Sequence, residues 1–174
     1  MRQSEAWMLQ VRSDLEAGKA VLDVAEAATY CQALSKFQQV VEKSIKAMVA
    51  ALNESGLSIV NIGSEHYPEK QIDALRLIKR AVSQDLLSRI YIIFSGHRLG
   101  EVRALCLLAP RFPTSGEAFR RNTEYPYQGP DSSWTAPAAV GSFRLEEVYR
   151  FRNLATEIVP MVARFVQATR RGLR

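Results

Sequence analysis

A chain of 174 residues that is 47% hydrophobic and 24% charged can bury one core without disulfides or metal, and its composition excludes disordered, collagen-like and disulfide-stapled classes. Its 23 basic and 18 acidic residues leave a formal charge of +5, which permits an anionic partner without requiring one. The two cysteines sit in apolar surroundings, the start MRQSEAWMLQVRSDLE is not of signal-peptide type, and the apolar runs Ile90–Phe94 and Ala104–Pro110 are too short to span a bilayer, so a single cytoplasmic domain over residues 1–174 with no membrane partner is expected.

Taken in order, residues 4–23 read as a helix with Ser4 as N-cap and Trp7, Val11, Leu15 and Leu22 near helical spacing. A second helix spans about 26–53, with Leu34, Phe37, Val41, Ile45, Met48 and Leu52 spaced by three and four. Glu54-Ser55-Gly56 stops it. Its polar face carries Glu42, Lys43 and Lys46, and Glu42 and Lys46 stand four apart in the favourable order.

After a loop containing NIGSEHYP, a third helix is expected from Glu69 to Ser88 through Ile72, Leu75, Ile78, Val82 and Leu86. SRIYIIFSG has strand-like composition but no strand to pair with, so it reads as a buried continuation of that helix. Residues 98–108 form another helix. Thr114 with Glu117 resembles a capping box opening a short helix over 115–124. A loop with three prolines, YPYQGPDSSWTAPAAVG, leads to a last helix over 143–169 that Pro160 should kink, followed by the basic tail of Arg170, Arg171 and Arg174. The expected fold is all-α: an antiparallel up-and-down bundle of four main helices with one or two extra short ones.

Familiar chemistry is missing. There is no Gly-rich phosphate loop. His66 and His97 pair with no Cys or His at metal-ligand spacing, so no metal and no cofactor is expected. Ser95-Gly96-His97 lacks an orienting acid, and Gly63-Ser64 is not followed by a paired Asp-x-Asp.

Gln39, Glu42, Lys43, Lys46 and Ala47, then His97-Arg98-Leu99, then Tyr125-Pro126, stand in an order that resembles the HEPN family, the higher eukaryotes and prokaryotes nucleotide-binding domain. The resemblance covers about two-thirds of the chain, and residues 54–96 are longer than the family's usual link. It implies a helical bundle, a homodimer, nucleotide or RNA binding, and a nucleotidyltransferase protein partner of toxin–antitoxin type. Ribonuclease members carry an Arg, then four to six intervening residues, then a His, which moves a proton while the Arg steadies phosphate charge. Here the positions after Arg152 hold Glu157, Ile158 and Val159, and those after Arg121 hold Pro126, Tyr127 and Gln128; Arg89 and His97 have seven residues between them. The resemblance therefore implies a noncatalytic nucleotide- or RNA-binding domain. The alternatives are a dimeric helical scaffold without a small ligand and a divergent metal-independent RNase that uses Arg152 with Glu157 or with a residue from the other subunit.

The candidate ligand-binding residues are Arg120, Arg121, Tyr125, Arg152, Asn153, Lys43 and Lys46. Arg120, Arg121 and Tyr125 flank the Pro-rich loop, where two guanidiniums and a ring can clamp a nucleotide or simply anchor the loop. Arg152 and Asn153, with Arg150, lie mid-helix, where the family places a site between subunits; surface charge is the plainer reading. Lys43 and Lys46 can contact phosphates, but their spacing favours a solvated helix face.

Overall fold

The computed structural model describes residues 1–24, 26–59, 68–109, 123–125, 127–128, 133–139 and 142–171. Its helices are α1 (Gln3–Asp23), α2 (Tyr30–Glu54), α3 (Pro68–Ala81), α4 (Gln84–Phe94), α5 (Gly96–Cys106) and α6 (Leu145–Arg171), with a 3-10 turn at Ala27–Thr29 before α2. The fold is all-α. The one departure among the described residues is a minimal antiparallel pair in the Pro-rich loop, β1 (Tyr127–Gln128) against β2 (Trp134–Thr135). No helix of the described residues is long and apolar enough to cross a membrane.

Antiparallel α1 and α2 form the foundation. Ser4 at the start of α1 meets Glu54 at the end of α2, donating from its backbone N–H at 2.9 Å and from its hydroxyl at 2.6 Å. Ser4 is thus not the N-cap; Arg2 takes that place, its N–H donating to the Glu5 carboxylate at 3.1 Å. Midway, Asp14 meets Lys43. Further along, Gly18 lies against Phe37: a Cβ there would come within 2.6 Å of the Phe37 ring. Glycine is required at this point because the helices approach too closely for any side chain.

The end of α2 follows from Gly56. With φ +86 it takes the left-handed conformation, so the Gly56 N–H reaches the Asn53 carbonyl and the Leu57 N–H reaches the Leu52 carbonyl at 3.0 Å. This is a Schellman closure, in which two otherwise orphaned carbonyls are satisfied.

The third expected helix is two helices. Ser83 interrupts it: its hydroxyl oxygen accepts the Leu86 N–H at 3.4 Å and its carbonyl accepts the Leu87 N–H at 2.9 Å. Asp85 sits in the first turn of α4, favourable beside the positive end of the helix. Within α4, SRIYIIF is helical as expected, and Ile90 and Ile93 are buried. The expected helix at 115–124 lies mostly outside the described residues; Thr123 and Glu124, which are described, are not helical.

α6 runs unbroken through Pro160, whose ring lies on the exposed side. The N–H that proline lacks is missing on the face where water can serve the freed carbonyl. Buried Val148, Phe151, Ala155, Ile158, Val162 and Phe165 form the inward stripe, and α6 packs on α2, α4, α1 and α5. At its far end the Thr169 carbonyl accepts from the Ser55 hydroxyl at 3.5 Å, and Arg170 pairs with Glu5 at 2.5 Å. The C-terminal ends of α2 and α6 therefore meet beside the start of α1.

Candidate functional site

The polar face of α2 is not solvated. Glu42 is fully buried and Lys46 is 6% exposed, with the carboxylate and ammonium 2.8 Å apart. Gln38 donates to the second Glu42 oxygen at 3.2 Å, and the Lys46 ammonium lies 5.1 Å from the centre of the Trp7 ring of α1. One turn away, Lys43 binds Asp14 at 2.5 Å, and Lys36 approaches the other Asp14 oxygen at 3.6 Å. Asp14 is itself buried. Charges taken out of water persist only when paired and hydrogen-bonded, and α1 supplies the cover for both pairs. The expectation of a solvated face is corrected: sequence spacing shows the pairing within α2 but not the helix lying over it. Both lysines are engaged inside the protein.

Arg152 is held by its own neighbours. Its guanidinium stacks 4.7 Å from the Tyr149 ring and donates to Asn153 Oδ1 at 3.2 Å. Arg152 does not pair with Glu157 within the chain. Glu157 instead accepts two bonds from Arg98, at 2.6 and 2.8 Å, and Arg98 also donates to Glu101 at 2.7 Å. This double engagement raises the Arg98 pKa, the Glu101 hydrogen bond being the main cause. His97 Nδ1 stands 3.6 Å from Glu101, on an imidazole that is 81% exposed.

Tyr125 is 37% exposed; beside it Glu124 is tied to α2 through Ser35 at 2.9 Å. Arg120 and Arg121 lie outside the described residues. Among the candidates that are described, Lys43 and Lys46 belong to the α1–α2 seam and Arg152 and Asn153 to one patch of α6, so they do not converge on one site. Cys31 and Cys106 are both free and buried, as expected, and burial pushes the Cys31 thiol up. Among the described residues no group of three His, Cys, Asp or Glu side chains is placed to hold a metal.

A hollow of about 870 Å³ opens where the α3–α4 corner faces the last turns of α6. Leu57, Val82, Leu86 and Ala168 contribute its apolar lining, and Arg89, Arg164 and Arg171 line it with charge. Asp85 is the one carboxylate among the described residues of this lining, 3.5 Å from Arg89. Arg164 and Arg171 have no ion-pair partner among the described residues. On α6 they are seven residues apart with Ala168 between them, a spacing that places all three on one face. Three guanidiniums against one carboxylate make this groove strongly electropositive. Arg171 reads from sequence as part of a basic tail, and Arg164 is not singled out. The available signal is the step of four and then three from Arg164 through Ala168 to Arg171, on a helix whose opposite stripe is apolar.

No protein-family model matches the chain, and no curated protein and no solved structure matches it.

Proposed function

We propose that this chain is a noncatalytic helical domain that binds a nucleotide or RNA through the basic groove between α4 and α6. The observation that carries this reading is the pair Arg164 and Arg171, two guanidiniums with no ion-pair partner among the described residues, lining one open hollow beside Arg89. Arginine's planar fork suits phosphate oxygens, and charge-assisted bonds to phosphate are about twice as strong as neutral ones. The same reading includes the up-and-down four-helix arrangement, supported by the helical spacing, and a homodimer and a nucleotidyltransferase protein partner, both of which follow from the HEPN resemblance.

Anisotropy of labelled short RNA and of labelled ATP, each at low and moderate salt, tests the proposal. Saturable binding that weakens as salt rises is expected, with a loss of about tenfold or more for Arg164→Ala/Arg171→Ala, as removal of roughly 1.4 kcal/mol of phosphate contact implies. Absence of binding to either ligand would overturn it in favour of the dimeric scaffold.

A further inference from the structure

Across α6 from the groove lies a second hollow of about 350 Å³, between α1 and α6. Its lining includes Met8, Leu9, Val166, Arg12 and Arg170. Arg170 is engaged by Glu5. Arg12 is exposed and has no ion-pair partner among the described residues. Gln167 lines both hollows, so they are separated by little more than one side chain on the ridge of α6. The guanidiniums without an ion-pair partner among the described residues thus form a series, Arg171 and Arg164 on one flank and Arg12 on the other.

The spacing suits a chain of phosphates. Arg164 and Arg171 are seven residues apart, about 10 Å along the axis at 1.5 Å per residue, and Arg12 lies on the far side of Gln167. The lining also lacks what base recognition needs. None of its described residues is aromatic in either hollow, so the described lining offers no stacking platform of the kind that holds bases on single-strand binders. The apolar part is aliphatic.

We propose that the two hollows form one track, passing over Gln167, that holds the backbone of single-stranded RNA by its phosphates and does not select among bases. This rests on the groove being a nucleic-acid site, and it adds the length and the base-indifference of the ligand. The contacts made are from Arg171, Arg164 and Arg89 on the α4 side and from Arg12 on the α1 side.

The test is binding of labelled oligo(A) and oligo(U), twelve and three nucleotides long, to the full chain, with ATP and linear inorganic polyphosphate as competitors. Both twelve-mers should bind within about twofold of each other, and both far better than the trimers or ATP. Arg12→Ala should weaken the twelve-mers several-fold, leave the trimers unchanged, and lower the slope of log K against log salt by about 0.7, the single-strand value for one lost contact. Polyphosphate should compete less well than oligo(U) of equal charge; equal competition would show that the track takes any phosphate chain and would overturn the assignment to RNA. Trimers binding as tightly as twelve-mers, an unaltered twelve-mer affinity in Arg12→Ala, or a base preference above tenfold would overturn the track while leaving the groove as a nucleotide site. If no RNA binds while ATP does, the track fails alone; if nothing binds, the proposed function fails with it.

Discussion

The charges between α1 and α2 and the charges beside α6 are made from the same kinds of side chain put to opposite use. In the seam, Glu42 and Asp14 are buried and each has a lysine at ion-pair distance. In the groove, Arg164 and Arg171 line open space with no carboxylate at that distance among the described residues. A buried charge must be satisfied from within and is then unavailable to anything else. An exposed guanidinium without a partner costs little to keep and is ready for an anion. A helical lysine is therefore no better a ligand candidate for belonging to a family-like motif: whether a neighbouring helix covers it decides.

Breaking the seam should have the largest effect. Glu42→Ala leaves the Lys46 ammonium buried without its carboxylate, which typically costs about 3–5 kcal/mol, and a large fall in the denaturant midpoint is expected. Replacing both partners, as Glu42→Leu/Lys46→Met, should restore much of that loss, because two apolar groups need no partner. A Glu42→Ala variant as stable as the parent would mean that water reaches the pair.

Asp14→Ala comes next. It frees Lys43 and Lys36, both of which can turn toward solvent, so the loss is expected at about 1.5–3 kcal/mol, the range for a hydrogen bond to a charged group. Urea unfolding of this variant beside Glu42→Ala gives the ranking directly, and the reverse order would contradict the burial argument.

Arg98→Ala sharpens the comparison from between the two extremes. Its side chain is 28% exposed and it joins Glu101 to Glu157. A partly exposed pair contributes about 0.5–1 kcal/mol, so a small drop in thermal midpoint is expected, and that drop should shrink in high salt.

The smallest effect belongs to Glu5, which is partly exposed at the surface. The Arg2 N–H first, and Arg170 second, hold its carboxyl below the ordinary value of 4.5. A folded pKa below the unfolded one means a contribution that is complete above about pH 4.5 and disappears as pH falls through the folded value. Glu5→Gln should be slightly less stable than the parent near neutrality, with the two stability curves converging below pH 4.5.

Much of the helical framework is legible in the sequence because stripes of Leu, Ile, Val and Phe at three- and four-residue steps need no tertiary information. Hence α1, α2 and α6 begin and end within a few residues of their expected limits, and SRIYIIF is helical despite strand-like composition. The break at Ser83 is also written locally, as a serine followed by Asp85, but a continuous apolar stripe through Val82 and Leu86 masks it. The seam is harder to read. Asp14 lies within the stripe of Val11, Leu15, Gly18 and Leu22, and an acid there signals a partner without saying that the partner is Lys43, 29 residues on. The groove is least legible, because it exists only where the α3–α4 corner comes up against the end of α6.

The most direct measurement is the salt-dependent affinity of a labelled single-stranded RNA for three forms of the protein at equal folded concentration: the parent, Lys43→Met, and Arg164→Ala/Arg171→Ala. The account predicts that Lys43→Met binds as the parent does at each salt concentration, while the arginine pair variant is weakened about tenfold or more and shows a shallower salt slope. Binding lost in Lys43→Met and kept in the arginine variant would contradict it, returning the site to the α2 face that α1 covers.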